Sequence, residues 1–558
     1  MFVGKNSCLL LSYIALAMII RFGFHQRLIR PRCCAALSPR RRSHYRQTNI
    51  ARESYLATMR FPNSATAMSL SSPGQESEHQ QKKIHLNHAG ASPSPQQVLD
   101  RVFSHLQLEQ QSGGYAAQNS VQESGDLDEV YNNVARLIHA TETNNDRDSS
   151  PSTVAPEIAL VESATVGWTR AFYAMVQRDE EERRARAKVD PNLSSSGSRV
   201  ILISEAEYAA NVVAACQWAR DHDDQWMVLA IPSSVTPSNN STGIVDLKAF
   251  DKMLEGRFRY KNELGEEVRF DPSSISMVCI THVPTNSGIV NPVEEIGQRI
   301  ASYNQRQQEK AKNRREEWTH YSSIKYLVDA CQSVGQMDVN VQRIKCDALV
   351  ATGRKYLRGP RGTGFLYVSN DVLAQDIMPS HIDHYGCPVS SVPSTASYQS
   401  GAQLQDNEVI QFAPREGAKR FEFWESSISS RLGLGEAVCV AMEKGLADIA
   451  RDIQQLSSLL RDTLEEKVPN IEIHHTDSTT CGIVTFYCHD VDARTVQAEM
   501  WVRGFELSFV PATSTPLDSS TTNVPDLVRA SISYTTTENE IYKFCDTLAS
   551  YLRLTSVI

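Results

Sequence analysis

The chain has 558 residues, 41% hydrophobic and 22% charged, enough for a large core and for more than one domain. Its net charge of -9 is unevenly placed: residues 1–52 hold nine arginines, one lysine and no acid, so the remainder carries -19. An acidic body argues against nucleic acid as a partner, and twelve cysteines with no CxxC pair and no Cys/His cluster argue against a zinc module.

The first 83 residues read as an address followed by a disordered linker. "CLLLSYIALAMII" (Cys8–Ile20) is too short for a comfortable membrane span but suits a signal core. The acid-free, arginine-rich "RLIRPRCCAALSPRRRSHYRQTNIAR" after it has transit-peptide composition. Together they predict a plastid or mitochondrial destination, with a cytoplasmic or signal-anchored chain as the alternative. No stable membrane association of the mature body is expected.

Structure is expected to begin near Ile84. From about residue 157, short apolar runs alternate with helical stretches: "EIALVES" precedes "ATVGWTRAFYAMVQ", "RVILIS" precedes "AANVVAACQWAR", and "WMVLAIP", "SMVCITHV", "YLVDA" and "DALVATG" follow. Continuous apolar strands separated by helices predict an α/β domain, a mostly parallel sheet covered on both faces. Such sheets bind ligands at the C-terminal ends of their strands. Five of these runs end in polar clusters: Ser163-Ala164-Thr165, Glu207-Tyr208, His282 to Asn286, Asp329, and Thr352 to Lys355. Cys216, Cys279, Cys331, Cys346 and Cys439 stand alone in apolar surroundings and are expected to be reduced core cysteines. Three charged insertions, "TETNNDRDSSPST", "RDEEERRARAKVDPNLSSSGS" and "NQRQQEKAKNRREEW", read as solvated loops or helix extensions. Past residue 430 a long amphipathic helix, Leu432 to Leu464, is expected. It precedes "CGIVTFYC", "FELSFV", "LVRASISY" and a last helix from Glu538 to Leu552, a smaller α+β C-terminal domain. The predicted division is therefore 1–83, 84–428 and 429–558.

"VATGRKYLRGPRGTGFLYV" (Val350–Val368) decides the chemistry. Its lysine precedes most of the glycines, and the glycines run into a strand, so it is not a phosphate-cradling GxxxxGK[ST] loop. The remaining reading is a lysine presented at a strand end. A buried lysine with a lowered pKa can form a Schiff base with a carbonyl cofactor. Pyridoxal 5'-phosphate (PLP) needs such a lysine, an acid against its ring nitrogen and donors for its phosphate. Asp329 lies 26 residues before Lys355 and suits the ring nitrogen, unless it only caps a helix. Gln332 can donate to the ring oxygen. Thr165 sits where a strand becomes a helix and can present amides to phosphate. Thr352 and Arg354 add a hydroxyl and a charge.

"YLVDACQSVGQMDVNVQRIKCDALVATGRKYLRGPRGTGFLYV" closely resembles the signature of class V aminotransferases, the fold-type I PLP family that includes the cysteine desulfurases, and the resemblance runs from "IHLNHAGASPSP" to "IYKFCDTL". It implies that Lys355 is the Schiff-base lysine, Asp329 the ring-nitrogen partner and Gln332 the partner of the phenolic oxygen. Ala164, Thr165, Thr352 and Arg354 then fall at phosphate positions. Tyr208 falls where the family stacks an aromatic ring, often a histidine. Thr285 stands where desulfurases have an asparagine near the ring, and Arg529 at the arginine that grips the substrate carboxylate. The resemblance also implies a homodimer acting on a small amino acid, with Ser426 and Ser427 near a neighbour's phosphate. Desulfurases present a mobile cysteine shortly before that arginine, yet there is none here between Cys488 and Cys545, so persulfide transfer lacks its nucleophile. "HLNHAGASPSP", "THVPTNSGIVNPVEEIG" and "RFEFWESSISSRLGLG" resemble the ergothioneine-pathway C–S lyase acting on hercynylcysteine sulfoxide and the isopenicillin N epimerase-like proteins. The expected activity is C–S β-lysis of a cysteine (sulfoxide) conjugate. Transamination, epimerisation, desulfuration and a non-catalytic PLP fold are the alternatives.

Overall fold

A computed structural model describes residues 83–140, 154–189, 198–222, 225–236, 241–261, 265–313, 323–375, 377–393, 408–474, 481–518 and 525–555. The expected targeting segment and linker, apart from Lys83, lie outside the described residues, as do the first charged insertion and parts of the other two.

The described chain begins with a two-residue strand, β1 (Ile84–His85). The apolar runs then become β2 (Ile158–Val161), β3 (Arg199–Ser204), β4 (Trp226–Ile231), β5 (Ile275–Thr281), β6 (Lys325–Asp329), β7 (Ala348–Thr352) and β8 (Gly364–Val368). They form one seven-stranded sheet in the order β2-β8-β7-β6-β5-β3-β4, parallel throughout except for β8, which runs against both β7 and β2. The sheet is mostly parallel, as expected. The reversal at β8 follows from the short turn after Lys355, which leaves no room for a crossover helix.

Side chains alternate between the two faces. Leu160, Ile280, Val328 and Leu349 enter one cluster, while Val161, Cys279, Leu327 and Val350 enter the other. α1 (Gln96–Ser112) and α2 (Asp126–Leu137) lead into β2. α2 and α5 (Val293–Asn313) add Val130, Tyr131, Ile296 and Ile300 to the first cluster. α3 (Ala164–Val189) and α4 (Ala209–Asp221) bring Trp168, Phe172, Val212 and Ala215 to the second. Each such buried large apolar side chain contributes about 1.5–3 kcal/mol relative to exposure. α3 and α5 continue into two of the charged insertions as helix; in α3 the insertion begins buried, with Glu180 accepting from Trp226 Nε1 (3.1 Å) and pairing with Arg183 and Arg184.

The helix expected from Leu432 to Leu464 is two helices. α6 (Ile428–Lys444) and α7 (Leu446–Lys467) are separated by Gly445, whose φ of 87° lies in the left-handed region that favours glycine. Downstream, β9 (Ile471–Ile473), β10 (Ile483–Cys488), β12 (Ser508–Val510) and β13 (Leu527–Ser531) make an antiparallel sheet in the order β9-β10-β13-β12. The short β11 (Phe505–Glu506) pairs with β1 instead. α7 and α8 (Glu538–Thr555) cover this sheet with Leu460, Leu464, Phe544 and Leu548.

Hydrophobic clusters cross the proposed border at 428/429. α6 packs on α1 and α2, and Leu86 is buried in the C-terminal cluster. Ser531 donates its N–H to Leu86 O (2.7 Å), and Ala89 N–H donates to Ser531 Oγ (2.9 Å). The segment after β1 is thereby carried across the strand ends of the large sheet.

Candidate active site

Five parallel strands release their chains at one edge, and the following turns build a cleft. Ala164, Thr165, Tyr208, Thr285, Asp329, Gln332, Thr352, Arg354 and Lys355 all line it, with Ser163, Asn211, Thr281, Val283 and Cys331. Every position expected to hold the cofactor therefore faces the same space. Arg529, on β13, does not line the cleft but reaches it through Thr285.

The lysine turn is held from both sides. Gly359 N–H closes onto Gly353 O (2.8 Å) and Gly353 N–H onto Thr363 O (2.9 Å). Tyr356 and Leu357, next to Lys355, are buried apolar anchors. Gly364 admits the returning strand: a Cβ there would lie 2.6 Å from Ala351 O and 3.3 Å from Ala164 N. On the outside, Ser92 N–H donates to Arg354 O (2.8 Å) and the Arg354 guanidinium donates to Gly90 O. Arg358, to which the sequence assigned nothing, donates to Pro93 O (3.1 Å) and Tyr534 Oη (3.0 Å). It thereby ties the turn to the N-terminal segment and the C-terminal region.

Lys355 remains half-buried, its head toward the cleft. Burial pushes its ammonium below the ordinary lysine value, and the Arg354 and Arg529 charges push the same way, against Cys331 and Asp329. Such an amine reaches its neutral, nucleophilic form more readily.

Asp329 is held in a local turn rather than used as a helix cap. Its Oδ1 accepts from Cys331 N–H (3.0 Å) and its Oδ2 from Asn211 Nδ2 (3.2 Å). Gln332 donates to Ala89 O (3.2 Å) and Thr285 Oγ1 (3.4 Å), which leaves its Oε1 without a partner. The Thr352 hydroxyl donates to Thr363 O (3.3 Å). Ser163 caps α3 by accepting from Val166 N–H (3.2 Å). The amides of Ala164 and Thr165 precede the first intrahelical bond, made by Gly167 to Ser163 O. They are free donors at the positive end of a helix.

Arg529 is 5% exposed and donates from Nη1 to Thr285 Oγ1 (2.6 Å) and Thr285 O (3.2 Å), while its Nε has no partner. Burial lowers its guanidinium to about 10, still charged at neutral pH. The neighbouring Asn286 donates to Pro511 O (3.2 Å) and Thr515 Oγ1 (2.9 Å), docking the cysteine-free loop beside the site. Ser427 caps α6 through Ser430 N–H (3.2 Å).

Three of the five cysteines expected in the core depart from it. Cys216 is exposed, Cys439 is half-buried, and the half-buried Cys331 lines the cleft, where burial and Asp329 drive its thiol far above the ordinary value. Cys279 and Cys346 are core residues as expected. No cluster of metal ligands occurs among the described residues, and no helix of the described residues is long and apolar enough to cross a membrane.

The donor set fits PLP: helix amides and Arg354 for a phosphate, a doubly held carboxylate for a ring nitrogen, an aromatic ring at Tyr208, and an amine whose charge is disfavoured. Sequence reasoning gave no role to Asn211, Glu207 or the Gly90–Pro93 segment. The run of Gly, Ser and Pro in "HAGASPSP" was the only local signal of the last.

The chain is similar to known proteins in sequence and in fold. The aminotransferase class-V family profile matches residues 314–544. A probable cysteine desulfurase of Methanothermobacter thermautotrophicus is 27% identical over 396 residues, covering 68% of this chain and 86% of the relative. A cysteine desulfurase of Serratia proteamaculans is 25% identical over 471 residues, 83% of this chain and 91% of the relative. Among solved structures, the apo cysteine desulfurase of Thermococcus onnurineus NA1 superimposes with a TM-score of 0.60 at 16% identity, covering 84% of this chain and 95% of that one. The cystine C–S lyase C-DES, in complex with its product cysteine persulfide, does so with a TM-score of 0.58 at 19% identity, covering 84% and 98%. Another C-DES structure, with a TM-score of 0.59, holds glycine covalently linked to PLP.

Proposed function

We propose that the chain is a PLP-dependent enzyme of the class-V aminotransferase family, and that it cleaves the Cβ–S bond of a cysteine-derived amino acid and releases the sulfur on the leaving group. The observation that carries this reading is the loop docked by Asn286. It occupies the stretch before Arg529 and has no cysteine between Cys488 and Cys545. Sulfur therefore has no thiolate there to accept it. Cys331 is a poor substitute, since its thiol is held protonated beside a carboxylate.

PLP supplies the carbonyl that takes up the substrate amine and the electron sink for a carbanion at Cα. The rest is the work of this chain. The α3 amides, Thr165 and Arg354 bind the phosphate. Tyr208 covers the ring face, and Asp329 keeps a proton on the ring nitrogen. Arg529, aimed by Thr285, grips the substrate carboxylate. Lys355, whose lowered pKa favours the neutral amine, takes the Cα proton as general base. The Cβ–S bond then breaks, sulfur leaves with the electron pair, and the enamine released hydrolyses to pyruvate and ammonia. A cysteine sulfoxide conjugate such as hercynylcysteine sulfoxide suits this chemistry, because a sulfenate leaves more readily than a thioether thiolate.

The test is pyruvate release by the purified chain from cysteine S-conjugates and their sulfoxides, alongside free cysteine with a thiol acceptor. We expect pyruvate with the native chain, and loss of both pyruvate and the lysine-bound PLP absorbance in Lys355→Ala. Sulfide from free cysteine without pyruvate, as the names of the relatives suggest for those proteins, would overturn the lyase reading. Failure of the native chain to take up PLP would overturn the whole assignment.

A further inference from the structure

Behind the cleft stands a carboxylate that the proposed chemistry does not use. Glu207, in the turn between β3 and α4, is 0% exposed. A carboxylate so placed is costly unless hydrogen bonds replace its water. Here four donors do so: Ser204 Oγ (2.7 Å), Thr281 N–H (2.9 Å), Asn211 Nδ2 (2.8 Å) and the Thr281 hydroxyl.

Two of those donors lead on to the cleft. Asn211, in the first turn of α4 and 2% exposed, donates from the same nitrogen to Glu207 Oε1 and to Asp329 Oδ2 (3.2 Å). An amide nitrogen has two N–H bonds, and each goes to one carboxylate, which fixes the orientation of the amide. Thr281 Oγ1 donates to Glu207 and accepts from Tyr208 N–H (3.3 Å). One buried carboxylate thus restrains both the residue at the ring edge and the residue at the ring face.

The sheet does not require this arrangement for its own sake. β3 and β5 are already paired along their length, Ile203 opposite Cys279. β3 and β6 are not neighbours, so Asn211 reaches past the end of β5 to touch Asp329.

Resting on the PLP reading, we propose that Glu207 and Asn211 are positioning residues: through the Asn211 amide they aim the Asp329 carboxylate at the cofactor ring, and through Thr281 they set Tyr208 over its face. Asn211 fixes Asp329 Oδ2 and Cys331 N–H fixes Oδ1, which leaves the carboxylate held in place with a further lone pair for the ring nitrogen.

The test compares the native full-length chain with Asn211→Leu, which keeps the shape and removes both donors, with Glu207→Gln, and with the double variant. Three quantities are measured: the melting temperature without cofactor, the dissociation constant for PLP, and the pH at which the absorbance of bound PLP changes. We expect Asn211→Leu to weaken PLP binding about ten- to a hundredfold, the loss of a hydrogen bond to a charged group, and to shift the absorbance transition. Glu207→Gln is expected to do the same in the native background and, on top of Asn211→Leu, to add only the smaller part carried through Thr281, since the route to Asp329 runs through the one Asn211 amide. Native PLP affinity and an unshifted transition in Asn211→Leu would overturn the proposal even if the variant melts lower, because a merely structural residue moves only the melting temperature. Additive effects of the two substitutions would overturn it as well. If Asn211→Leu does not fold, Glu207→Gln alone carries the affinity and absorbance comparison. A native chain that binds no PLP would instead overturn the functional assignment beneath it.

Discussion

Arg529 shows how a charge becomes a tool when its surroundings leave it few partners. Its Nη1 is committed to Thr285, its Nε has none, and burial has lowered its guanidinium to about 10. In the proposed reaction, a substrate carboxylate would meet a donor already aimed and largely dehydrated, and a charge-assisted pair of that kind is worth about 1.5–3 kcal/mol. Arg529→Lys keeps the charge but loses the fork. Steady-state kinetics should show kcat/KM for the amino-acid substrate lowered about 10- to 150-fold, mainly through KM, with PLP content unchanged. An unaltered KM would place the carboxylate elsewhere. Thr285 links Arg529 to Gln332 through a single hydroxyl, a connection that the sequence could not reveal, since the three lie on different elements.

The entry to α6 rests on a buried ion pair. Arg431 Nη1 donates to Glu422 Oε2 (2.9 Å), Leu160 N–H donates to Glu422 Oε1 (2.9 Å), Tyr131 Oη adds a third donor (3.0 Å), and Arg431 Nη2 returns to Leu160 O (3.2 Å). Glu422 is 0% exposed. This network locks the "RFEFWESS" segment to β2 and α2 and so sets where α6 starts. Glu422→Gln leaves the guanidinium buried without its counter-charge, and urea unfolding should show a loss of about 3–5 kcal/mol. Glu422→Gln combined with Arg431→Met should recover part of that loss. A double variant as unstable as the single one would mean that the hydrogen bonds to Leu160 and Tyr131, not the charges, hold the segment. The same region shows how far local patterns reach. The apolar period from Leu432 to Leu464 identified helix correctly, but Lys444-Gly445 is a C-terminal stop signal, and the chain breaks there.

Across the whole chain, two buried histidines make stability depend on pH. Burial lowers His88 to about 3, with His85 and Arg358 adding to the effect, and lowers His282 to about 4. Both stay neutral in the fold while the unfolded chain binds protons below about 6.5. The unfolded state then holds more protons, so stability is full above that value and declines as pH falls from 6.5 toward 4. Each histidine contributes about 1.4 kcal/mol per pH unit inside its window. Urea unfolding at pH 7 and pH 5 should differ accordingly, and a His88→Gln/His282→Gln variant should flatten the difference. Equal native stability at the two pH values would contradict the burial argument. One of these histidines follows β1 and the other follows β5, so acid would loosen segments on either side of those strand ends.

Much of this molecule can be read in one dimension. Strand and helix types follow from local apolar periods, and in a parallel sheet the residues after each strand must converge. Hence Lys355, Asp329, Thr165 and Tyr208 could be assigned to one cleft from their positions alone. Other features need the folded chain. β1 pairs with β11, with His85 and Glu506 separated by 421 positions. Asn211 meets Asp329 across 118 positions, and Cys331, apolar by its sequence context, turns into the cleft. Such contacts depend on which surfaces close over one another, and no local period records a contact made between distant parts of a chain.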